Sequence, residues 1–291
     1  MSAENNKKSL NWYLEQARLS NTALGHFNFA TADVLRGIVQ AAGDAGAPAV
    51  MVGTSEGEAD FFGLKEAVAL VKTLREEYDF PVFLNAVHFK SFEKCKEAID
   101  AGYDSVIIDA SKMVFADNIT ETKKVVEYVK TLGKNILVEG EIGYLRGSSE
   151  VQTKIEITPD DFTKPEEAKK FVGKTAVVQL AVVFGNIHGI VTDQEEKLDI
   201  EHLKRIIAAV PDVFYVLHGA SGLKDEDVKA AIKAGVTNVH FNTELRVAYK
   251  EGIHHAFHDK PDETTPYKYL SSGVEGVKNI VTQKIKIFMG K

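Results

Sequence analysis

Three histidines close three apolar runs: His88 after FPVFLNAV, His188 within AVVFGNIHG and His218 within FYVLHGASG. Neutral imidazoles from separate segments, brought to one place, make the donor set of a catalytic zinc ion with an open fourth position. A single strand-end histidine is more often a hydrogen-bonded rim residue than a ligand. Three at equivalent positions beside glycines point to one metal. Asp109 in VIIDAS and Glu141 in VEGEIG are placed either to reach that metal or to hydrogen-bond a ligating imidazole. Next to His88 stands Val87, an apolar side chain at what reads as the working rim.

The elements that must position these groups alternate along the chain. Apolar, β-branched runs at 22–29, 47–54, 81–88, 104–111, 135–143, 175–185, 214–221 and 238–245 read as strands. They are near-continuous rather than alternating, as parallel strands covered on both faces are. Amphipathic segments lie between them, and several stop at glycine. Thr31 is the expected N-cap of the first, with Asp33 in its first turn. Eight such alternations predict an α/β protein, a (β/α)8 TIM barrel with an additional C-terminal helix, as one domain over residues 1–291. A doubly wound open sheet is the other arrangement that alternation allows.

The barrel makes a further expectation. Catalytic groups of such barrels gather where the strands end. Asn28, Ser55, Glu56, His88, Asp109, Glu139, Glu141, His188, His218, Asn242 and Thr243 all fall there, while the strand interiors read as apolar by comparison. Two stretches interrupt the rhythm. The polar segment 144–165 is expected to be a mobile active-site loop, and 259–273 a connector before the final helix VEGVKNIVTQKIKIFM.

Small residues in GNIHG and HGASG, together with NTEL, read as an anion site. Backbone N–H groups can approach a phosphate there, with Ser221 and Thr243 adding hydroxyls. Tight turns with a helix cap would use the same residues.

Bulk properties narrow the classes. With 42 acidic and 35 basic residues the net charge is −7, which argues against non-specific nucleic-acid binding. No apolar run approaches the ~20 residues of a membrane helix. The stretch MSAENNKKSLNWYLEQA lacks a signal-peptide core, so the cytoplasm is the expected location. The single Cys95 cannot form an intramolecular disulfide and reads as a packed helix residue. His202 lies on a helix after the sixth strand; His254, His255 and His258 crowd a late helix and read as a solvated face, with a metal-binding pair the alternative; Trp12 and Tyr13 read as packing an N-terminal helix on the barrel.

The pieces GHFNFA, SEGE, FLNAVH, VIIDAS, VEGEIG, GNIHG, LHGASG and NTEL occur in the order found in class II, metal-dependent ketose-bisphosphate aldolases, which the chain resembles over roughly residues 10–250. The resemblance implies a TIM barrel, usually dimeric or tetrameric. It implies zinc-dependent cleavage of fructose 1,6-bisphosphate or a related ketose phosphate to dihydroxyacetone phosphate and an aldehyde. It assigns His88, His188 and His218 as zinc ligands. Asp109 and Glu141 match a site the zinc visits without substrate, and Asn28 a substrate contact. Gly189, Gly219, Ser221, Asn242 and Thr243 match phosphate-binding positions.

The departures are specific. Val87 stands where the family carries the aspartate that moves the proton of the C4 hydroxyl, and losing such a group costs on the order of 10²–10⁴ in rate. Phe89 is bulky where a smaller polar residue is common. Glu150 in RGSSE is the nearest match to the family's mobile-loop proton carrier. A lysine common after the second histidine is absent from HGIVTDQ, and His240 replaces a frequent asparagine. The alternative to an impaired aldolase is a non-catalytic or repurposed homologue that binds metal and sugar phosphate. A metal-dependent hydrolase barrel fits less well, because GHFNF offers only His26 on its first strand.

Overall fold

The computed structural model describes residues 8–291. The first seven residues of the N-terminal stretch considered above lie outside it. Eight parallel strands close into a barrel: β1 (Leu24–Asn28), β2 (Val50–Ser55), β3 (Val82–Phe89), β4 (Ser105–Ile108), β5 (Leu137–Ile142), β7 (Gln179–Val182), β9 (Phe214–Leu217) and β10 (Val236–Phe241). β1 pairs with both β2 and β10, which completes the ring. The eight expected strands are these eight, and the open doubly wound sheet is excluded.

Helices α1 (Leu10–Ser20), α2 (Ala32–Asp44), α3 (Glu56–Phe62), α4 (Leu64–Glu77), α5 (Phe92–Ala101), α6 (Phe115–Leu132), α7 (Pro165–Thr175), α8 (Ile200–Ala209), α9 (Asp225–Ala234), α10 (Thr243–Asp259) and α11 (Pro266–Phe288) surround the barrel. Their buried stripes meet the outward strand residues in one continuous core, including Leu35, Ile38, Val71, Ile99, Val125, Phe171, Ile206 and Val281. Cys95 is buried in that layer, as its helix position implies. Thr31 occupies the N-cap of α2, but its hydroxyl makes no capping bond.

α1 closes the bottom of the barrel. Its Leu10 and Leu14 pack on Leu24, Met51, Leu137 and Phe214. The aromatic pair expected to dock this helix contributes less: Tyr13 reaches Phe83, while Trp12 remains 39% exposed.

Side chains alternate between the two faces of a strand, so the next inward layer lies two residues further along. That layer is polar. His26, Asn85, Ser105, Glu139, Gln179 and Asn238 are all fully buried, contrary to the expected apolar interiors. Asn85 and Gln179 lie between apolar neighbours, and the others have an apolar residue on at least one side, so they are hidden within largely apolar runs.

Three further boundaries differ from expectation. Within 144–165 there is a short strand, β6 (Gly147–Gln152), and a 3-10 turn at Pro159–Asp161. β6 pairs in parallel with β8 (His188–Val191), outside the barrel. The final helix starts at Pro266, so the connector from α10 is much shorter than 259–273; proline at the first position favours a helix start. The last strand ends at Phe241, and Asn242 becomes the N-cap of α10.

Candidate active site

The C-terminal rim encloses a cavity of about 180 Å³ lined by Asn28, Ser55, Val87, His88, Ser149, His188, Gly189, His218, Gly219, Ser221, His240, Asn242, Thr243 and Arg246. Asn28, Val87, His88, His188, Gly189, His218, Gly219, Ser221, Asn242 and Thr243, all singled out in the sequence, are among these. His88 lies near the end of β3 and His218 directly after β9. His188 does not end a barrel strand. It opens β8, well past the end of β7, and its backbone amide donates to the Arg146 carbonyl at 2.8 Å.

The donor atoms of His88, His188 and His218 lie within 4.8 Å of one another. The Nε2 atoms of His88 and His188 face each other at 3.1 Å. On its other side, His88 Nδ1 stands 3.2 Å from both Asp109 and Glu141, at ion-pair distance but out of line for a linear hydrogen bond. Carboxylates beside Nδ1 favour the proton there, so that once Nε2 gives up its own proton its lone pair faces His188 and the cavity. His88 holds a positive φ of 52°, which is uncommon for a side chain with a Cβ and turns the ring into this position.

The donor set therefore fits a zinc-type ion: three imidazoles, an open cavity face, and a carboxylate pair fixing one tautomer. His88, Asp109 and Glu141 form a second compact group around the same ring. Electrostatics make two of the three rings neutral, and the third gives up a proton when it ligates. Burial lowers His188 well below the ordinary imidazole range and brings His218 to about 3, so both are neutral donors. For His88 burial also lowers the pKa, but Glu141 and Asp109 outweigh it and raise it to about 10. Burial would lift Asp109, yet His88 and Ser111 hold it below the usual carboxylate range.

Glu139 lies behind the ligand cluster, fully buried, with Oε1 2.8 Å from His218 Nε2. Burial pushes its carboxyl up to about 8.

The side expected from the sequence to face an anion is built from glycine turns and a helix start. Gly189 and Gly219 have φ of 93° and 67°, and a Cβ on Gly219 would meet the Ile187 carbonyl oxygen at 1.9 Å. Asn242 and Thr243 stand at the N-terminus of α10, where backbone N–H groups have no helical acceptor. Their place on a helix start, rather than on a strand, is the physical reason the NTEL segment can face an anion. The Glu244 amide points to Ser221 Oγ at 3.4 Å, and Glu244 Oε1 accepts from the Gly222 amide at 2.9 Å.

Some wall residues were not anticipated. Arg246 follows Thr243 by one helical turn, so it shares the cavity-facing side. It donates to Glu58 at 2.6 Å and to the Ser149 carbonyl at 3.1 Å. Glu58 also accepts from Asn28 Nδ2 at 2.7 Å and from the Ser55 amide at 2.8 Å, which fixes the Asn28 amide at the rim. The spacing of TELR was the available signal for Arg246. Glu150 is not brought in: it is exposed on β6 and meets Ser148, whereas its neighbour Ser149 lines the cavity. Val87, 4% exposed, does line it, backed by Ile107, Ala181 and Val216.

A family model described as class-II fructose-bisphosphate aldolase matches residues 8–291. The chain belongs to the class II fructose-bisphosphate aldolase family. A fructose-bisphosphate aldolase of Staphylococcus aureus is 33% identical over 285 residues, covering 96% of each chain. A fructose-bisphosphate aldolase of Staphylococcus epidermidis has the same identity and coverage. Among solved structures, the YdjI aldolase of Escherichia coli K12 superposes with a TM-score of 0.81 at 30% identity over 96% of both chains. A fructose-bisphosphate aldolase of Campylobacter jejuni shares the fold at a TM-score of 0.80 and 20% identity, over 96% of this chain and 93% of that one. The eight-stranded closed barrel is thus the aldolase fold.

Proposed function

We propose that this class II aldolase is zinc-dependent and cleaves a ketose bisphosphate, with fructose 1,6-bisphosphate the first substrate to test, to dihydroxyacetone phosphate and an aldehyde, at a rate held down by Val87. The observation that carries the reading is the convergence of His88, His188 and His218 with the Gly219–Ser221 turn and Thr243 around one cavity. A bound zinc ion would supply Lewis-acid stabilisation of charge developing on the ketone oxygen as the C3–C4 bond breaks.

The chain's own groups supply the rest. Gly189, Gly219, Ser221, Asn242 and Thr243 are suited to hold the phosphate, and the Arg246 guanidinium adds positive charge on the same side. Asn28, oriented by Glu58, is suited to hold a substrate hydroxyl. Glu150 serves as the proton carrier only if the 144–165 loop moves, because its carboxylate faces away from the cavity. At position 87 no proton can be held, and the nearest polar group on the neighbouring strand is Ser55. We infer a homodimer or homotetramer acting in the cytoplasm on a small sugar phosphate, without a nucleic-acid or membrane partner.

Val87 favours one second reading, a homologue that binds metal and dihydroxyacetone phosphate without cleaving ketoses. The deciding experiment measures zinc content of fresh protein, cleavage of fructose 1,6-bisphosphate in a coupled assay, and solvent hydrogen exchange into dihydroxyacetone phosphate. Zinc with exchange and slow cleavage supports the impaired aldolase. Zinc and exchange without any cleavage support the second reading. Absence of tight zinc overturns both.

A further inference from the structure

We propose a second metal position in this barrel, formed by Glu139, His218 and His240 on the more deeply buried side of the His88–His188–His218 cluster. The donor atoms of these three residues lie within 4.8 Å of one another, and all three side chains are buried. They come from β5, the end of β9, and β10, three separate parts of the barrel wall. The rings of His218 and His240 are 4.0 Å apart, and Glu139 Oε1 is 2.8 Å from His218 Nε2.

The independent observation is what these groups leave unsatisfied. Glu139 Oε2 and His240 Nδ1 are fully buried and have no hydrogen-bond partner. Buried polar atoms are nearly always paired with protein, water or an ion, so two orphans on adjoining side chains call for an occupant. The surroundings are those of a ligating histidine. His240 Nε2 lies 3.2 Å from the Asn238 side-chain amide, whose Oδ1 is also unpartnered. Turning that amide end for end lets Oδ1 accept from an Nε2–H, which leaves the Nδ1 lone pair free to bind metal. His26 stacks on the His240 ring at 3.7 Å and 5°, and Asn85 holds His26 in turn at 3.3 Å, so the ring is fixed before any ion arrives.

Two imidazoles and one carboxylate suit a borderline divalent ion such as zinc or cobalt(II), with Glu139 supplying negative charge. The position shares His218 with the outer cluster, and it rests on the functional reading only through that ligand. Metal therefore has an inner place to reside, distinct from the His88–Asp109–Glu141 group.

The test uses cobalt(II) as the probe, followed by its visible absorption and by elemental analysis. His188→Ala breaks the outer cluster and is expected to keep one cobalt per chain through the inner residues. Adding His240→Asn is expected to weaken that cobalt at least tenfold. Crystals of the unaltered protein soaked in cobalt give a second readout that needs no variant: an anomalous peak between Glu139 and His240. The inference is overturned if His188→Ala binds no cobalt, if His240→Asn leaves its binding unchanged, or if the inner position holds only water in the soaked crystals. Failure of the functional reading looks different, because the unaltered protein would then take up no metal at the outer cluster.

Discussion

Ser55 and Val87 sit side by side, paired in register on the adjacent parallel strands β2 and β3, and both side chains line the cavity. A hydroxyl and an isopropyl group thus share the wall where the resemblance places a proton-transferring aspartate. The valine is held by Ile107, Ala181 and Val216, an apolar patch directly beside the ligand cluster.

Restoring a carboxylate at this position is expected to raise cleavage of fructose 1,6-bisphosphate. Val87→Asp should be roughly tenfold faster or more, at the low side of what a positioned acid/base contributes. The same change buries a carboxylate against apolar neighbours, so the variant should also be less stable by about 1–3 kcal/mol. A coupled assay and a urea titration on both proteins check the pair of effects. An aspartate variant no faster than its parent would show that position 87 does not carry the proton transfer.

Metal uptake should release a proton. In the metal-free protein burial lowers His88, but Glu141 and Asp109 outweigh it and raise its pKa to about 10, so the ring is protonated at neutral pH. A ligating imidazole must be neutral, hence zinc displaces that proton and its affinity rises with pH up to about 10. Calorimetry at neutral pH in buffers of different ionisation enthalpy should report about one proton released per ion, as displacement from a single imidazole requires. Heats independent of the buffer would contradict the assignment.

Gly53 leaves no room for a side chain. A Cβ there would meet both His26 Nε2 and Val87 Cγ2 at 2.5 Å. Neither neighbour is free to withdraw, since His26 is stacked on His240 and Val87 is packed in the apolar patch. Gly53→Ala is expected to lower stability by about 1–3 kcal/mol, the usual cost of overpacking, read as a lower urea midpoint with unchanged slope.

Glu196, beside the Ile187 amide, should make stability depend on pH. Its carboxylate is buried, neither oxygen has a well-formed hydrogen bond, and burial raises its pKa to about 8, with the Ile187 amide offsetting this only in part. The folded state therefore holds a proton that the unfolded chain has released above the ordinary glutamate range. Stability falls as pH rises from near 4.5 through about 8 and is level beyond. Glu196→Gln should flatten that slope and leave the variant the more stable of the two at alkaline pH. Parallel thermal melts at several pH values check it; identical slopes in both proteins would refute it.

Much of the site was legible because its residues end apolar runs. His88, His218, Asp109 and Glu141 each mark the point where a strand meets the rim, and hydrophobicity changes sharply there. His188 was legible as a member of the histidine cluster but not as a strand opener, because a parallel ladder between Gly147–Gln152 and His188–Val191 joins distant segments and leaves no local periodicity. Arg246, which lines the cavity, and Glu58, which holds Arg246 and Asn28, belong to helices and meet only through the closure of the barrel. The buried polar layer of His26, Asn85, Ser105, Gln179 and Asn238 escaped notice for a related reason. A single polar residue in a largely apolar run, as at Asn85 and Gln179, barely perturbs the pattern, and only closure reveals that these positions share an interior.

The small sheet of β6 and β8 ties together two parts that the sequence presents as separate. Gln152 Nε2 donates to the His188 carbonyl at 2.8 Å, and the His188 amide donates to the Arg146 carbonyl at the same distance, so both backbone polar groups of this histidine are anchored to the segment that carries Glu150. A swing of Glu150 into the cavity must either carry the imidazole with it or break those two bonds. Any displacement of that segment is thereby mechanically coupled to the backbone that aims the second imidazole.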